Sequence, residues 1–133
     1  MSTVIDRLQV LLDTVQAAIT ASDLDRKTDI TVTDDGREVA TAFSLSAGAV
    51  VVYPLPGEEF PAPRVSRLTW TIGVVAAGET PRDAASRIHD IKAVLHAAKV
   101  LRPEDRATPT DFELPDQSSI PGYAITHIEE HQL

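Results

Sequence analysis

Cysteine is missing from this chain, which removes disulfides, a thiolate nucleophile and cysteine-ligated zinc in one step. That composition suits a cytosolic folding compartment. Aromatic residues make up 5% of the chain, too few for a platform on which nucleic-acid bases could stack. Basic residues are also short. Twelve stand against twenty acidic ones, a net charge of -8, so tight sequence-independent binding to a phosphate backbone is not expected. Long apolar runs are absent. Leu8, Val10, Leu11 and Leu12 are interrupted by Gln9 and Asp13, and Met1 to Asp6 hold no basic cluster, so neither a signal peptide nor a membrane span is expected.

What remains is a chain of 133 residues, read as a single domain over 1–133 that can bury a core of its own. Its first stretch, about Thr3 to Ala21, repeats apolar residues at three- and four-residue spacing: Val4, Leu8, Leu11, Val15 and Ala18. Ile5, Leu12 and Ile19 widen that stripe, while Val10 and Ala17 fall off it. A stripe so wide needs a large surface beneath it, most simply a sheet. A second helix begins cleanly, with Thr80 as N-cap, Pro81 at the first helical position and Asp83 at the third. Ala84, Ile88, Ile91, Leu95 and Ala98 form its apolar side, and Pro103 marks its stop.

Between and after the helices the period changes to two. Ser66–Ala76 places Leu68, Trp70, Ile72 and Val74 on one face and Thr69, Thr71 and Gly73 on the other. The Trp70 face is expected to meet the helices. Gly48–Tyr53, Thr108–Leu114 and Gly122–Glu130 read as further strands, with Thr28–Thr33 as an optional fifth. Asp34-Asp35-Gly36 reads as a turn in which Gly36 can take a positive φ. Arg37–Ser46 is either a hairpin partner or a loop. Leu55–Arg64 holds Pro56, Pro61 and Pro63 and reads as an irregular or extended loop, and Asp116–Pro121 as a polar turn. The expected fold is therefore α+β, with two helices on one face of a mostly antiparallel sheet of four to five strands.

The sequence offers little catalytic chemistry. His89 and His96 are two helical turns apart, roughly 10 Å, too far for one zinc ion. His127 and His131 are four apart in an extended stretch, where that spacing makes no metal pair, and they read as surface histidines. A couple of His127 with Glu129 for acid–base work has no local support. Ser118 and Ser119 lack a nucleophile elbow, and no glycine spacing cradles a phosphate. No catalytic residue, cofactor or metal is expected. Acids come in pairs, Asp34-Asp35, Glu58-Glu59, Glu104-Asp105 and Glu129-Glu130, and read as solvated surface or, in a ring, as a wall that nucleic acid slides past.

The order of these segments resembles small phage tail terminator, or tail completion, proteins. The likeness is carried by the Thr3–Ala21 helix and the run Ala49-Val50-Val51-Val52-Tyr53-Pro54. After these come the Trp70-Thr71-Ile72-Gly73-Val74-Val75 strand, the Thr80-Pro81-Arg82-Asp83 helix start and the closing Pro121-Gly122-Tyr123-Ala124-Ile125-Thr126 strand. It covers nearly the whole chain and is similar in particular to members from phages of high-GC, actinobacteria-like hosts. Arg37–Leu45 departs from the family pattern.

The resemblance implies a virion structural protein without catalytic residues. It would form a homo-oligomeric, hexameric ring at the head-proximal end of the tail, after a period in the host cytoplasm. The ring would bind the tail tube protein, stop tube polymerisation and present a surface to head–tail connector proteins. Genomic DNA would pass through without specific binding. Lateral contacts are then expected from Glu58, Glu59, Phe60 and Arg64 in the Pro-rich segment and from Arg82 and Arg87 on the second helix, with Asp34 and Asp35 at the lumen or rim. A lumen lined by Arg37, Arg64 and Arg67 would instead grip DNA. The alternatives are a head–tail adaptor or stopper of the neck and an unrelated cytosolic binding module.

Overall fold

The structure is a computed structural model that describes residues 3–38, 48–113 and 119–132. Helix α1 (Val4–Ala21) starts in a capping box. The Thr3 side chain accepts from the Asp6 amide and the Asp6 side chain accepts from the Thr3 amide, both at 3.1 Å. Its last carbonyls are met by Lys27, whose Nζ donates to the Thr20 and Ser22 oxygens. Helix α2 (Pro81–Ala97) is capped by the Thr80 side chain, which accepts from the Asp83 amide. No helix among the described residues is long and apolar enough to cross a membrane.

The two helices cover one face of a six-stranded sheet in the order β1-β2-β4-β6-β5, with β3 paired to β4 off that path. The strands are β1 (Ile30–Thr33), β2 (Gly48–Val52), β3 (Gly57–Ala62), β4 (Val65–Ala76), β5 (Arg106–Glu113) and β6 (Ser119–Gln132). Among the described residues only β1 and β2 run parallel; the other pairs are antiparallel. β4 is the centre. One of its edges is filled by β6 along nearly its whole length. The other is shared: β2 takes Ile72–Ala76 and β3 takes residues of Val65–Thr69.

The main core lies between sheet and helices. Leu8, Leu11, Val15, Ala18 and Ile19 of α1 and Ile88, Ile91 and Leu95 of α2 meet Leu68, Trp70, Ile72 and Val74 of β4, with Val50, Val52 and Ile125 beside them. Trp70 is fully buried. A smaller cluster sits on the opposite face, where Phe112 and Ile120 pack on Ala49, Val51 and Val75. Gly73 admits the Phe112 ring: a Cβ there would stand 3.0 Å from it. β2 is thus buried on both faces, which is why its sequence is a continuous apolar run rather than an alternation.

The α+β fold with two helices on one face of a mostly antiparallel sheet is as expected. Several details change. Among the described residues a sixth strand joins the sheet, because Gly57–Ala62 is an edge strand and not a loop. An edge tolerates Pro61, whose missing N–H faces no partner, and a bulge absorbs it: Phe60 and Pro61 together oppose Ser66. Gly36 takes no positive φ. Asp35 holds that turn instead, its Oδ1 accepting the Arg37 amide at 3.0 Å. Ser119, Ile120 and Pro121 belong to β6 rather than to a turn. Ile5 is 65% exposed, outside the core, and Ala98 is exposed as the α2 C-cap. Residues 39–46, Leu114 and residues 116–118 of the earlier readings lie outside the described residues.

Helix α2 also stops before Pro103. Lys99 turns left-handed at φ 61°, the Val100 amide reaches back to the Leu95 carbonyl at 2.9 Å, and the Lys99 amide to that of His96 at 3.0 Å. This Schellman closure drives Val100 and Leu101 into the core.

Replacing Leu8 or Ile88 with Ala, each 4% exposed, is expected to cost about 2–5 kcal/mol of unfolding free energy in urea titrations. Unmoved midpoints for both would mean the helices do not pack as described. Lys99→Gly is expected to raise stability by about 0.5–1 kcal/mol, since glycine takes the left-handed conformation without a Cβ clash. A drop in stability would contradict the closure.

Candidate assembly surface and a buried polar chain

Among the described residues the most exposed strand is β3, which pairs with the start of β4 as an arm. Every residue of β3 is exposed, because neither helix reaches over it. The hairpin closes through Pro63 and Arg64. Proline fixes φ at the first turn position and Arg64 takes φ 64° at the second. Phe60 is 67% exposed, and Leu55, in the link from β2, is 91% exposed. Among the described residues the outer edge of β3 has no strand beside it, so its backbone donors and acceptors are open.

Of the expected contact residues, the arm gathers Glu58, Glu59, Phe60 and Arg64. Glu59 is not free. Arg67 reaches it at 3.3 Å and reaches Glu130 of β6 at 2.7 Å, a three-strand ladder on the face away from the helices. Arg82 and Arg87 lie at the start of α2, beyond the far end of β4. The stretch of β4 that pairs with β2, Ile72–Ala76, lies between them and the arm. Arg82 is exposed; Arg87 is half-buried in a shallow recess with Leu24, Asp25 and Asp90.

Asp34 and Asp35 follow β1. Asp35 grips the Arg37 guanidinium at 2.9 Å, and that hydrogen bond holds its carboxyl below the usual range, so Asp34 is the freer acid. Arg37 and Arg67 are thus both occupied by carboxylates.

A second site was not legible as such. Strand β6 continues its helix-facing row from Tyr123 and Ile125 into His127, Glu129 and His131, opposite Trp70, Leu68 and Ser66 of β4. The two histidines are therefore under α1 and not on the surface: their side chains are 6% and 14% exposed. The acid pairs are split likewise. Asp105, brought in by the loop after α2, is 2% exposed in its side chain, and Glu129 is 20% exposed, while Glu104 and Glu130 face out.

These groups form a line. Asp105 Oδ2 lies 2.6 Å from His127 Nδ1, and it also accepts from the Arg102 amide at 2.9 Å. His127 Nε2 is 4.0 Å from Glu129 Oε1, too long for a hydrogen bond. Glu129 Oε2 stands 3.5 Å from His131 Nε2, and His131 Nδ1 bonds with Nη2 of Arg7 on α1. Burial and the adjacent Arg7 charge hold the His131 pKa below its ordinary value, with Glu129 pulling weakly the other way.

His127 and Glu129 floor a recess of about 170 Å³ walled by Val10, Leu11, Val100 and Thr14. The Thr14 hydroxyl donates to the Val10 carbonyl at 2.7 Å, so it is not poised as a nucleophile. The line is broken at Glu129, so its two ends, Asp105–His127 and His131–Arg7, are separate hydrogen-bonded pairs. Among the described residues, no three His, Asp or Glu side chains converge to hold a metal ion. The signal in the sequence was the i, i+2, i+4 spacing of His127, Glu129 and His131 in register with Ile125.

No protein-family model matches the chain, and no curated protein does.

Because the arm lies outside the core, Phe60→Ser and Glu58→Ser are expected to change unfolding free energy by no more than about 0.5 kcal/mol. Arg67→Ala is expected to lose little stability, and less in high salt, because its partners are solvated. Urea titrations at two salt concentrations read both. A large salt-independent loss would place the arm in the folding core.

Proposed function

We propose that this chain is a structural subunit of a phage virion that closes the head-proximal end of the tail tube as a homomeric ring. The observation that carries the reading is the exposed β3 arm, an element with an open edge and the uncovered aromatic Phe60. The isolated fold makes no use of it. The order of helices and strands that resembles tail terminators supports the same reading.

A closed ring needs two different surfaces on opposite sides of each subunit. The arm, with Glu58 and Phe60, lies at one end of β4, and Arg82 and Arg87 lie toward the other. Carboxylates of one copy can then meet guanidinium groups of the next, with Phe60 as the buried anchor. The net charge of -8 suits a channel through which DNA slides, and Asp34 is the acid best placed to act without an internal partner. The tail tube protein would take one axial face and head–tail connector proteins the other.

Electron microscopy of the purified protein mixed with tail tubes tests this. The expected image is a ring on one end of each tube, and Phe60→Asp is expected to abolish it while leaving the circular dichroism spectrum unchanged. Rings that join connector complexes but never tube ends would replace this reading with a neck adaptor. Absence of any ring or tube binding would remove the virion reading.

A further inference from the structure

The buried line from Asp105 to Arg7 has one link whose proton is fixed by its neighbours. A guanidinium group has donors only, so His131 Nδ1 must accept from Arg7. The ring proton then sits on Nε2, 3.5 Å from Glu129 Oε2. In this form His131 is neutral: Nδ1 is held by Arg7, and Nε2 is buried near the Glu129 carboxylate without a hydrogen bond.

A second proton would have to enter at Nδ1. It would set N–H against N–H and one cation against another in a corner where the His131 side chain is 14% exposed. Among the described residues, the charged groups facing His131 are Arg7 from α1 and Glu129 from its own strand. Its partner position on β4 is Ser66, which is uncharged, and Arg67 and Glu130 lie on the other face of the sheet. Glu129 is shared with His127, which is bound in turn to Asp105. Once Nδ1 carries a proton, Arg7 has no acceptor on His131.

We propose that Arg7 and His131 form a proton-controlled latch that fixes the first turns of α1 to the end of the sheet that bears the arm. Neutral His131 closes the latch. A proton on Nδ1 expels the Arg7 guanidinium to solvent and frees Arg7 to Leu11 from β6. The arm is continuous with this corner, since Ser66 and Arg67 pair with His131 and Glu130, and β3 pairs with the same stretch of β4. Opening therefore loosens the support beneath the arm. The device is independent of what the arm binds.

The sign follows from the direction of the shift. The folded state binds this proton less readily than the unfolded chain, whose ordinary histidine value is 6.5. The latch contributes fully above that value, and the contribution is lost as pH falls through the lower folded value.

Two measurements on the intact protein test the latch. Long-range nitrogen–proton spectra of the histidine rings at about pH 7.5 are expected to show His131 with its proton on Nε2, titrating below an ordinary histidine. Arg7→Gln is expected to raise that titration point. Amide exchange from Arg7 to Leu11, corrected for intrinsic pH dependence, is expected to speed up about tenfold or more between about pH 7.5 and pH 5. His131→Gln, which can accept from Arg7 and donate to Glu129 at either pH, is expected to abolish that increase. A proton on Nδ1 at the higher pH overturns the proposal, and this reading needs no variant. So does equal loosening of α1 in the wild type and His131→Gln.

Discussion

One strand has to satisfy different neighbours along its length, and the rest of the molecule is arranged around that. β4 is twelve residues long, and its two halves differ in character. From Arg67 to Thr71 it alternates, apolar toward the helices and polar away. From Ile72 to Ala76 it is buried on both sides. The buried half demands a strand that is itself apolar on both faces, and the valine run of β2 supplies it. The alternating half accepts an edge strand, and β3 supplies that. The link Tyr53 to Pro56 separates the two because β2 and β3 occupy the same side of β4 in succession.

That division places the arm and the buried polar groups of β6 at one end. Where β2 gives way to β3, the sheet runs out past the helices, and the arm is left exposed on both faces. Where β4 alternates, β6 runs beside it with His127, Glu129 and His131 in the helix-facing row. An apolar row there would have continued the main core. Instead α1 lies on a mixed floor, with Leu68 and Trp70 beside a line of charged and titratable groups. Buried polar groups are tolerable only when they have partners. Asp105 and Arg7 supply them at the two ends, while Glu129 Oε1, His131 Nε2 and Arg7 Nε keep none.

The termini of the helices serve this corner. The capping box sets the start of α1, which fixes the turn on which Arg7 stands. The left-handed Lys99 ends α2 and turns the chain so that Val100 and Leu101 fill the core. The same turn brings Arg102 and Asp105 to β6, where Arg102 donates to the Ile128 carbonyl at 3.0 Å. An assembly surface built on the arm would thus rest on two helix ends and one polar line.

Local chemistry was enough to read the helices, their caps, the β4 alternation and the α+β class directly. Period 3.6, period 2 and the Thr-Pro-x-Asp start are each written within a dozen residues, and burial rewards them wherever the partner lies. Glu58, Phe60 and Arg64 were legible as a protruding segment, but not as a strand. Three prolines look like a loop until an edge and a bulge give them room. His127, His131, Asp105 and Glu129 were read as solvated, because a charged residue usually is. Only the tertiary structure decided otherwise. The pairing of β6 with β4 sets which side of β6 faces α1, and the turn after α2 brings Asp105 across 22 residues to His127. Charge states its preference for water locally, but whether it finds a buried partner depends on contacts between elements distant in the chain.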